Sequence, residues 1–196
     1  MLRRSGNFID PFHVTVDATS GVAQQTTGNA KTSKSKQAII AAGSQAVRRP
    51  FFPNDPRIVD STGALELRHT PKKMLIVGGG YIGCEFASIF NGLGANVTQL
   101  YRGEQVLRGF DDEVRNFVAD EMRKNGVDLR VKTAVEKLSR HGDGSDVLLK
   151  NGEHLEVDTV LYATGREPNV GKLNLKAIGV KQDDKGAIVV DDDYRT

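Results

Sequence analysis

The pattern of apolar and polar positions predicts an α/β fold in the middle of the chain. Four apolar residues at 74–77 predict a buried strand. A helical pattern begins at Ile82 and ends near Gly94, with apolar residues at helical spacing at Phe86, Ile89, Phe90 and Leu93. From about 71 to 164 the order is strand, helix, strand, helix, strand, followed by further strands. This order predicts a three-layer α/β domain, with a parallel sheet and a β-meander.

The second helix and the later strands are predicted from similar patterns. Acidic residues at 111–113 suit the first turn of a helix, and its buried stripe is predicted as Val114, Phe117, Val118 and Met122. Residues 143–144 and 151–152 are Asp-Gly and Asn-Gly, which favour hairpin turns. Residues 157–163 predict a buried strand, with Thr164, Gly165 and Arg166 at its carboxyl end.

The flanking segments have weaker patterns. Residues 8–10 and 13–16 predict short strands, and the polar stretch 17–36 predicts an exposed, mobile loop between two hairpin strands. We expect residues 37–44 to form a buried strand that ends in a sharp turn, and residues 186–196 to form one more strand. Three prolines mark residues 48–70 as a stiff connector: Pro50, Pro53 and Pro56.

The glycines after the first central strand supply the first candidate chemistry. Gly78, Gly80 and Gly83 have GxGxxG spacing between a predicted strand and a predicted helix. In that context the glycines permit a tight turn, a close approach of the backbone to a pyrophosphate, and close packing of helix on strand. Free N–H groups at the helix N-terminus favour phosphate. The sequence therefore predicts a Rossmann-like domain that binds a dinucleotide.

The end of the next strand indicates which dinucleotide is bound. An NAD-specific domain carries Asp or Glu there, about 20 residues after the glycines, to bind the ribose hydroxyls. This chain has Tyr101 and Arg102 instead, and Arg108 follows on the same loop. A carboxylate would repel a 2′-phosphate, whereas two guanidinium groups bind one through charge-assisted hydrogen bonds. We therefore predict a preference for NADPH over NADH.

Composition excludes several other classes of protein. The 196 residues are 38% hydrophobic and 27% charged, with a net charge of +2, so we expect no nucleic-acid partner. No apolar run reaches membrane-spanning length, and we expect no membrane partner. A single cysteine, Cys84, fits a reducing cytoplasm, where we expect the protein to act, and we expect this thiol to serve packing. The four histidines follow no metal-ligand spacing, so no metal site is predicted.

These residues together resemble the FAD-dependent pyridine nucleotide–disulfide oxidoreductases, and the resemblance covers nearly the whole chain. Residues 80–94 and 100–111 are similar to glutathione reductases, whereas residues 38–47 and 55–65 look more like dihydrolipoyl dehydrogenases. In this family a nicotinamide-nucleotide domain is inserted into the FAD-binding domain. The resemblance implies that residues 1–47 end a first FAD segment, 71–168 form the NADPH domain, and 169–196 begin the returning FAD segment.

The resemblance also implies roles for particular residues. It places Tyr81 over the flavin ring, Glu85 near the nicotinamide, and Arg102 and Arg108 on the 2′-phosphate. The other cofactor-contacting positions that it implies are Ala42, Gly43, Ser44, Ile82, Gly165 and Arg166, beside the three motif glycines.

The function implied by the resemblance is NADPH-dependent reduction of a small disulfide, with glutathione disulfide as the expected substrate. Hydride would pass to FAD and then to a cysteine pair outside this chain. The family's paired cysteines, first FAD glycine motif and dimerisation domain are absent, so we expect a fragment of a homodimeric enzyme, without catalytic residues of its own. Two alternatives remain open, a dihydrolipoyl dehydrogenase and a non-catalytic nucleotide-binding module.

Overall fold

The computed structural model describes residues 3–19, 31–50 and 52–196. They divide into two compact units, a central unit of residues 46–165 and a flanking unit of residues 1–45 and 166–196. The strands, in chain order, are β1 (Arg3–Asp10), β2 (His13–Thr19), β3 (Lys31–Lys34), β4 (Ser44–Ala46), β5 (Ile58–Val59), β6 (Lys73–Val77), β7 (Asn96–Leu100), β8 (Asp128–Arg130), β9 (Val135–His141), β10 (Gly144–Leu149), β11 (His154–Val157), β12 (Thr159–Tyr162) and β13 (Arg166–Pro168). The α-helices are α1 (Ser61–Leu65), α2 (Tyr81–Gly92) and α3 (Asp112–Lys124), and a short 3₁₀ helix covers Leu175–Ile178.

The central unit contains the predicted parallel sheet. Five strands lie in the order β5-β12-β6-β7-β8, with every neighbouring pair parallel. In register, Met74 lies opposite both Thr159 and Val97, so β6 is at the centre of the sheet. The antiparallel meander β9-β10-β11 forms a separate sheet, as the two hairpin turns predict.

Two hydrophobic cores lie on opposite faces of the parallel sheet. Met74 and Ile76 of β6 join the core beneath the helices, while Leu75, between them, joins the core shared with the meander. This alternation follows from the pleat of a strand, which directs successive side chains to opposite faces. All three side chains are fully buried. The central unit is therefore layered as helices, parallel sheet and meander.

Part of the predicted helical core is wrong. Val114 and Phe117 of α3 are 48% and 66% exposed, whereas Ala119 and Met122 are buried. A helix turns by about 100° per residue, so Phe117 points about 200° away from Ala119. The apolar spacing was matched to the wrong face. On α2, Phe86 and Phe90 are buried, but Ile89 is exposed, and so is Leu93, which follows the last helical residue.

The stretch predicted as a connector contributes to the central unit. Residues 48–70 contain β5 and α1, and β5 pairs with β12 as the edge strand of the parallel sheet. Arg57 joins this segment to the meander, because its guanidinium binds the Asp55 carboxylate and donates to the Gly144 carbonyl at 2.9 Å.

The flanking unit is built mainly from hairpins. β1, β2 and β3 form an antiparallel sheet, and β4 pairs with β13. The buried Phe8 of β1 donates its backbone N–H to the Leu173 carbonyl at 3.1 Å, and the Asn174 side chain donates to the Phe8 carbonyl at 3.0 Å. These bonds join the first and last segments of the chain within this unit. The predicted strands at 8–10 and 13–16 are confirmed.

Three predictions for the flanks are wrong. Residues 17–19 belong to β2 and residues 31–34 to β3, and not to the predicted loop at 17–36; residues 20–30 lie outside the described part of the chain. Residues 37–43 form no strand and Ile39 is 95% exposed, because none of the described strands lies beside this stretch. Residues 186–196 form no strand beyond an isolated antiparallel bridge between Ile188 and Gln182, and the chain turns after Asp191, which accepts hydrogen bonds from the N–H groups of Asp193 and Arg195.

No helix in the described part of the chain combines the length and apolar character needed to cross a membrane.

Candidate dinucleotide-binding site

A cavity of about 620 Å³ opens in the central unit at the carboxyl ends of β6, β7 and β12. In open α/β sheets this edge is where ligands bind. The residues that line it come from the glycine-rich turn, the loop after β7, the start of the meander, the turn after β10 and the end of β12: Val77, Gly78, Gly79, Gly80, Leu100, Tyr101, Arg102, Arg108, Thr133, Ala134, Val135, Glu136, Lys150, Ala163, Thr164 and Gly165, with Arg49 before β5.

Each of the three motif glycines is required, or permitted, by a different feature of its surroundings. Gly78 has φ of +141°, and a Cβ there would lie 2.2 Å from the Ala163 carbonyl oxygen of the neighbouring strand end. A Cβ on Gly83 would lie 2.7 Å from the Gly78 carbonyl oxygen, so this glycine permits close packing of α2 on the turn. A Cβ on Gly80 would meet nothing within 4 Å. The open space at Gly80 fits the close approach of a ligand.

The N-terminus of α2 presents unsatisfied donors beside this cavity. Its N-cap residue is Gly80, no side chain caps it, and its first turn holds no acidic residue. The first N–H groups of any helix lack intrahelical acceptors, and the dipole places partial positive charge there. A phosphate group fits such a helix end.

A further glycine that the sequence analysis missed supports the Tyr101 ring. A Cβ on Gly79 would lie 2.4 Å from the Tyr101 ring, and one on Gly103 would lie 2.6 Å from it on another edge. The Tyr101 ring therefore occupies space that a side chain on Gly79 or Gly103 would fill. The run of three glycines at 78–80 was the available signal, but the fingerprint uses only the first and third of them.

The loop that carries Arg102 and Arg108 is held in place by hydrogen bonds. The Leu107 N–H donates to the Gly79 carbonyl at 2.6 Å, which ties this loop to the glycine turn. The Arg115 side chain of α3 donates to the Val106 and Gln105 carbonyls at 2.9 and 3.0 Å. The two candidate arginines thus extend from a fixed backbone, which reduces the entropy lost when they bind an anion.

The cavity has a surplus of positive charge. Arg49, Arg102, Arg108 and Lys150 line it, against one acid, Glu136. No acid among the described residues forms an ion pair with any of these four basic side chains. Sequence analysis missed Arg49, Lys150 and Glu136, since they come from segments far apart in the chain, without a motif.

The other candidate residues on α2 do not line the cavity. Ile82 is half-buried, and Tyr81 and Glu85 lie one helical turn apart on its exposed side. Cys84 is buried, and burial raises the pKa of its thiol, with a weaker opposing hydrogen bond from Gln99. The helix end would by itself lower that pKa, but burial prevails, which supports a packing role for this thiol.

The flavin candidates Ala42, Gly43 and Ser44 lie in the flanking unit with Arg166, whereas Tyr81 and Gly165 lie in the central unit. The Arg166 guanidinium donates to the hydroxyl and the carbonyl of Ser44 at 2.8 and 2.6 Å, and the Asn169 N–H donates to the Gly43 carbonyl at 3.0 Å. Ala42 accepts a longer bond from the Asn169 side chain. The described residues of this unit contain no α-helix whose N-terminus could hold a flavin pyrophosphate. The fit to FAD is therefore incomplete within this chain, and the flavin roles of these residues stay predictions.

The fold and the site agree with what the chain resembles. The family model described as pyridine nucleotide-disulphide oxidoreductase matches residues 9–196. The chain belongs to this family, whose members use FAD and a nicotinamide nucleotide.

Individual relatives extend this result. The chain is 46% identical over 158 residues to a glutathione reductase of Burkholderia cepacia, covering 81% of this chain and 35% of that protein. It is 35% identical over 201 residues to a soluble pyridine nucleotide transhydrogenase of Pseudomonas aeruginosa (strain LESB58), covering 100% of this chain and 41% of that protein. The solved structure of the HOCl-induced flavoprotein disulfide reductase RclA from Escherichia coli matches 95% of this chain and 40% of that one, with a TM-score of 0.83 and 31% identity.

The predicted family and fold class are thus confirmed. The chain spans less than half the length of each of these relatives.

Proposed function

We propose that the central unit binds NADPH in the cavity beside α2. The observation that carries this proposal is the pair Arg102 and Arg108, both lining the cavity and neither paired with a described acid. Arg102 lies at the strand end where an NAD-specific site has a carboxylate, and Arg108 follows on the same loop. Two free guanidinium groups on a fixed loop suit a 2′-phosphate.

The remaining parts of the site fit the rest of the nucleotide. The pyrophosphate would lie on the glycine turn at the uncapped start of α2, where Gly80 leaves open space. Bound NADPH supplies a hydride, and this chain orients the nucleotide and selects it electrostatically. The 620 Å³ of the cavity lies within the usual range for a small-molecule site.

The activity that we propose for the enzyme containing this unit is reduction of a small disulfide, with glutathione disulfide as the favoured substrate. The similarity to a glutathione reductase supports this substrate. In the overall reaction, NADPH and one proton reduce a disulfide to two thiols. Cys84 is the single cysteine of the chain and is buried, so the thiols that react with the substrate would lie outside it. Glutathione disulfide should therefore not accelerate NADPH oxidation by this chain alone.

A second candidate is a pyridine nucleotide transhydrogenase. Its support is the similarity to the Pseudomonas aeruginosa transhydrogenase, which extends over the whole chain. A transhydrogenase has to accept both NADH and NADPH, whereas a dedicated NADPH-dependent reductase does not. The dihydrolipoyl dehydrogenase alternative is disfavoured, because Tyr101 and Arg102 replace the acid that would bind NAD.

Affinity for the two reduced nucleotides, measured by calorimetry, tests the proposal. Each charge-assisted hydrogen bond contributes about 1.5–3 kcal/mol, so NADPH should bind at least about tenfold more tightly than NADH. Arg102→Glu should remove most of this preference, because it replaces attraction by repulsion. Arg123→Glu is the matched control, since Arg123 lies on α3 outside the cavity and pairs with Asp120.

The outcomes separate the candidates. A preference for NADPH that Arg102→Glu abolishes and Arg123→Glu preserves supports the reductase. Similar affinities for NADH and NADPH in the unmodified protein favour the transhydrogenase. Absence of binding to either nucleotide would contradict the proposed site itself.

A further inference from the structure

One buried polar side chain contacts the glycine turn from behind. Gln99 of β7 is fully buried among apolar neighbours, with no exposed surface. Its Nε2 donates to the Gly78 carbonyl oxygen at 2.8 Å, across 21 positions of sequence. The hydrogen bond fixes the orientation of the amide, because the opposite orientation would place Oε1 against the carbonyl oxygen.

This hydrogen bond sets the direction of one donor in the turn. The Gly78 carbonyl and the Gly79 N–H belong to the same peptide unit, and in a trans peptide they point in opposite directions. No cis peptide occurs among the described residues. Because Gln99 holds the Gly78 carbonyl, the Gly79 N–H is directed away from the Gln99 side chain. Gly79 lines the cavity, and no described group accepts a hydrogen bond from its N–H.

The third motif glycine provides the space for this arrangement. A Cβ on Gly83 would lie 2.7 Å from the Gly78 carbonyl oxygen and 3.0 Å from Gln99 Nε2, which are the two atoms of the hydrogen bond. The same Nε2 lies 3.6 Å from the Sγ of Cys84. Helix α2 therefore packs directly over the bond between Gln99 and Gly78.

The other half of the Gln99 amide reduces the net stability that this residue contributes. Its Oε1 is buried and has no hydrogen-bond partner among the described residues. A buried acceptor without a partner is destabilising, and this cost offsets part of the stability that the bond from Nε2 to the Gly78 carbonyl contributes.

We propose that Gln99 is a positioning residue, which orients the Gly79 N–H to donate to the pyrophosphate of the dinucleotide. The proposal rests on the proposed function, since it names a residue that acts at the same site. Gln99 itself would not touch the ligand. Without this hydrogen bond, the peptide between Gly78 and Gly79 loses the contact that fixes its orientation, and the donor is held less firmly toward the phosphate.

The test compares two ligands that differ in the pyrophosphate. NADPH carries both the pyrophosphate and the 2′-phosphate, whereas adenosine 2′-monophosphate carries only the latter. In Gln99→Met, which keeps the length and removes the donor, we expect about tenfold weaker binding of NADPH, the loss of about one hydrogen bond. Binding of adenosine 2′-monophosphate should be unchanged, and Tm should change little, because the variant removes the unpaired Oε1 but also the donor to the Gly78 carbonyl.

The control variant is Gln182→Met. Gln182 Nε2 also donates to a glycine carbonyl, that of Gly186 at 2.8 Å, but it lies in the flanking unit and does not line the cavity. This substitution should leave both affinities unchanged. In the unmodified protein, the amide proton resonance of Gly79 should move downfield when NADPH is added.

Three results would overturn the inference. If Gln99→Met weakens the binding of NADPH and of adenosine 2′-monophosphate equally, Gln99 has a general structural role. If NADPH binding is unchanged, Gln99 has no role at the site. A Gly79 amide resonance that does not move when NADPH binds would show that the Gly79 N–H does not donate to the pyrophosphate. This measurement uses the unmodified protein, so it does not depend on the folding of the variant. If the unmodified protein binds NADPH and adenosine 2′-monophosphate as expected, and the results for Gln99 and Gly79 contradict the inference, the proposed function survives. If it binds neither ligand, both fail.

Discussion

The N-termini of α2 and α3 differ in how their first N–H groups are satisfied. At α3 the Asp111 side chain accepts hydrogen bonds from the N–H groups of Glu113 and Val114 at 2.9 and 3.4 Å, and two further acids occupy the first turn. At α2 the cap is Gly80, without a capping side chain or an acid in the first turn. Both helices are of similar length, and both bury one face in the same core.

The difference shows which helix end is available to a ligand. A helix whose own side chains satisfy its first N–H groups has gained that stability in the folded chain, without a ligand. A helix that leaves them free, beside a cavity with four basic side chains, gains the equivalent interaction only when an anion arrives. The two helix ends thus predict opposite responses to substitution: loss of stability at α3 and loss of binding at α2.

The largest expected effect is on the turn before α2. Gly78→Ala should lower the free energy of unfolding by about 3–5 kcal/mol, because it adds both a positive-φ strain and a clash with the Ala163 carbonyl. Its counterpart before α3 is Gly109, which also has positive φ but meets nothing within 4 Å. Gly109→Ala should lose only about 1–2 kcal/mol. Urea unfolding measures both, and equal losses would contradict the assigned contact at Gly78.

Much of the central fold could be predicted because its local patterns agree with its packing. The apolar run at 74–77 became β6, and the buried run after 157 became β12, beside it in the sheet. The flanking predictions failed where a local pattern lacked a partner. Residues 37–43 have the composition of a buried strand, yet Ile39 is almost fully exposed, since a strand exists only when another strand pairs with it.

The next expected effect is on binding at α2. Gly80→Ala should change the free energy of unfolding by less than about 1 kcal/mol, because a Cβ there meets no atom and φ is −81°. It should weaken NADPH binding by about tenfold or more, since the methyl group would occupy the space of the pyrophosphate. Calorimetric titration beside a thermal melt separates the two quantities. Unchanged affinity would show that the phosphates do not approach this helix end.

The opposite pattern is expected at α3. Asp111→Ala removes the capping carboxylate, and should lower the free energy of unfolding by about 1 kcal/mol. NADPH affinity should stay the same, because Asp111 does not line the cavity. Asp111→Asn is the matched control, since asparagine caps almost as well and should retain most of the stability. Weaker NADPH binding in Asp111→Ala would show that the two helix ends are not independent.

The candidate site was predictable only as far as it is contiguous in sequence. The glycine fingerprint and the two arginines fall within about 30 residues, the usual length of a βαβ unit. Arg49 precedes β5 and Lys150 follows β10, on either side of that unit, and no spacing rule connects them. The role proposed for Gln99 was hidden for a similar reason. Its position on β7 predicts only burial, and its contact with Gly78 exists only after the strands have paired.

The smallest expected effect concerns the one thiol near the start of α2. Cys84 is 5% exposed, and burial raises the pKa of its thiol above the usual value of about 8.5. At pH 8 the folded protein should therefore hold the neutral, unreactive thiol, and Ellman's reagent should label it slowly. In urea the reagent should label one thiol per chain promptly, because Cys84 is the single cysteine. Addition of NADPH should change the folded rate little, since the thiol does not line the cavity. Rapid labelling of the folded protein would mean that the positive end of α2 activates this thiol, and that the helix end is not left free for a phosphate alone.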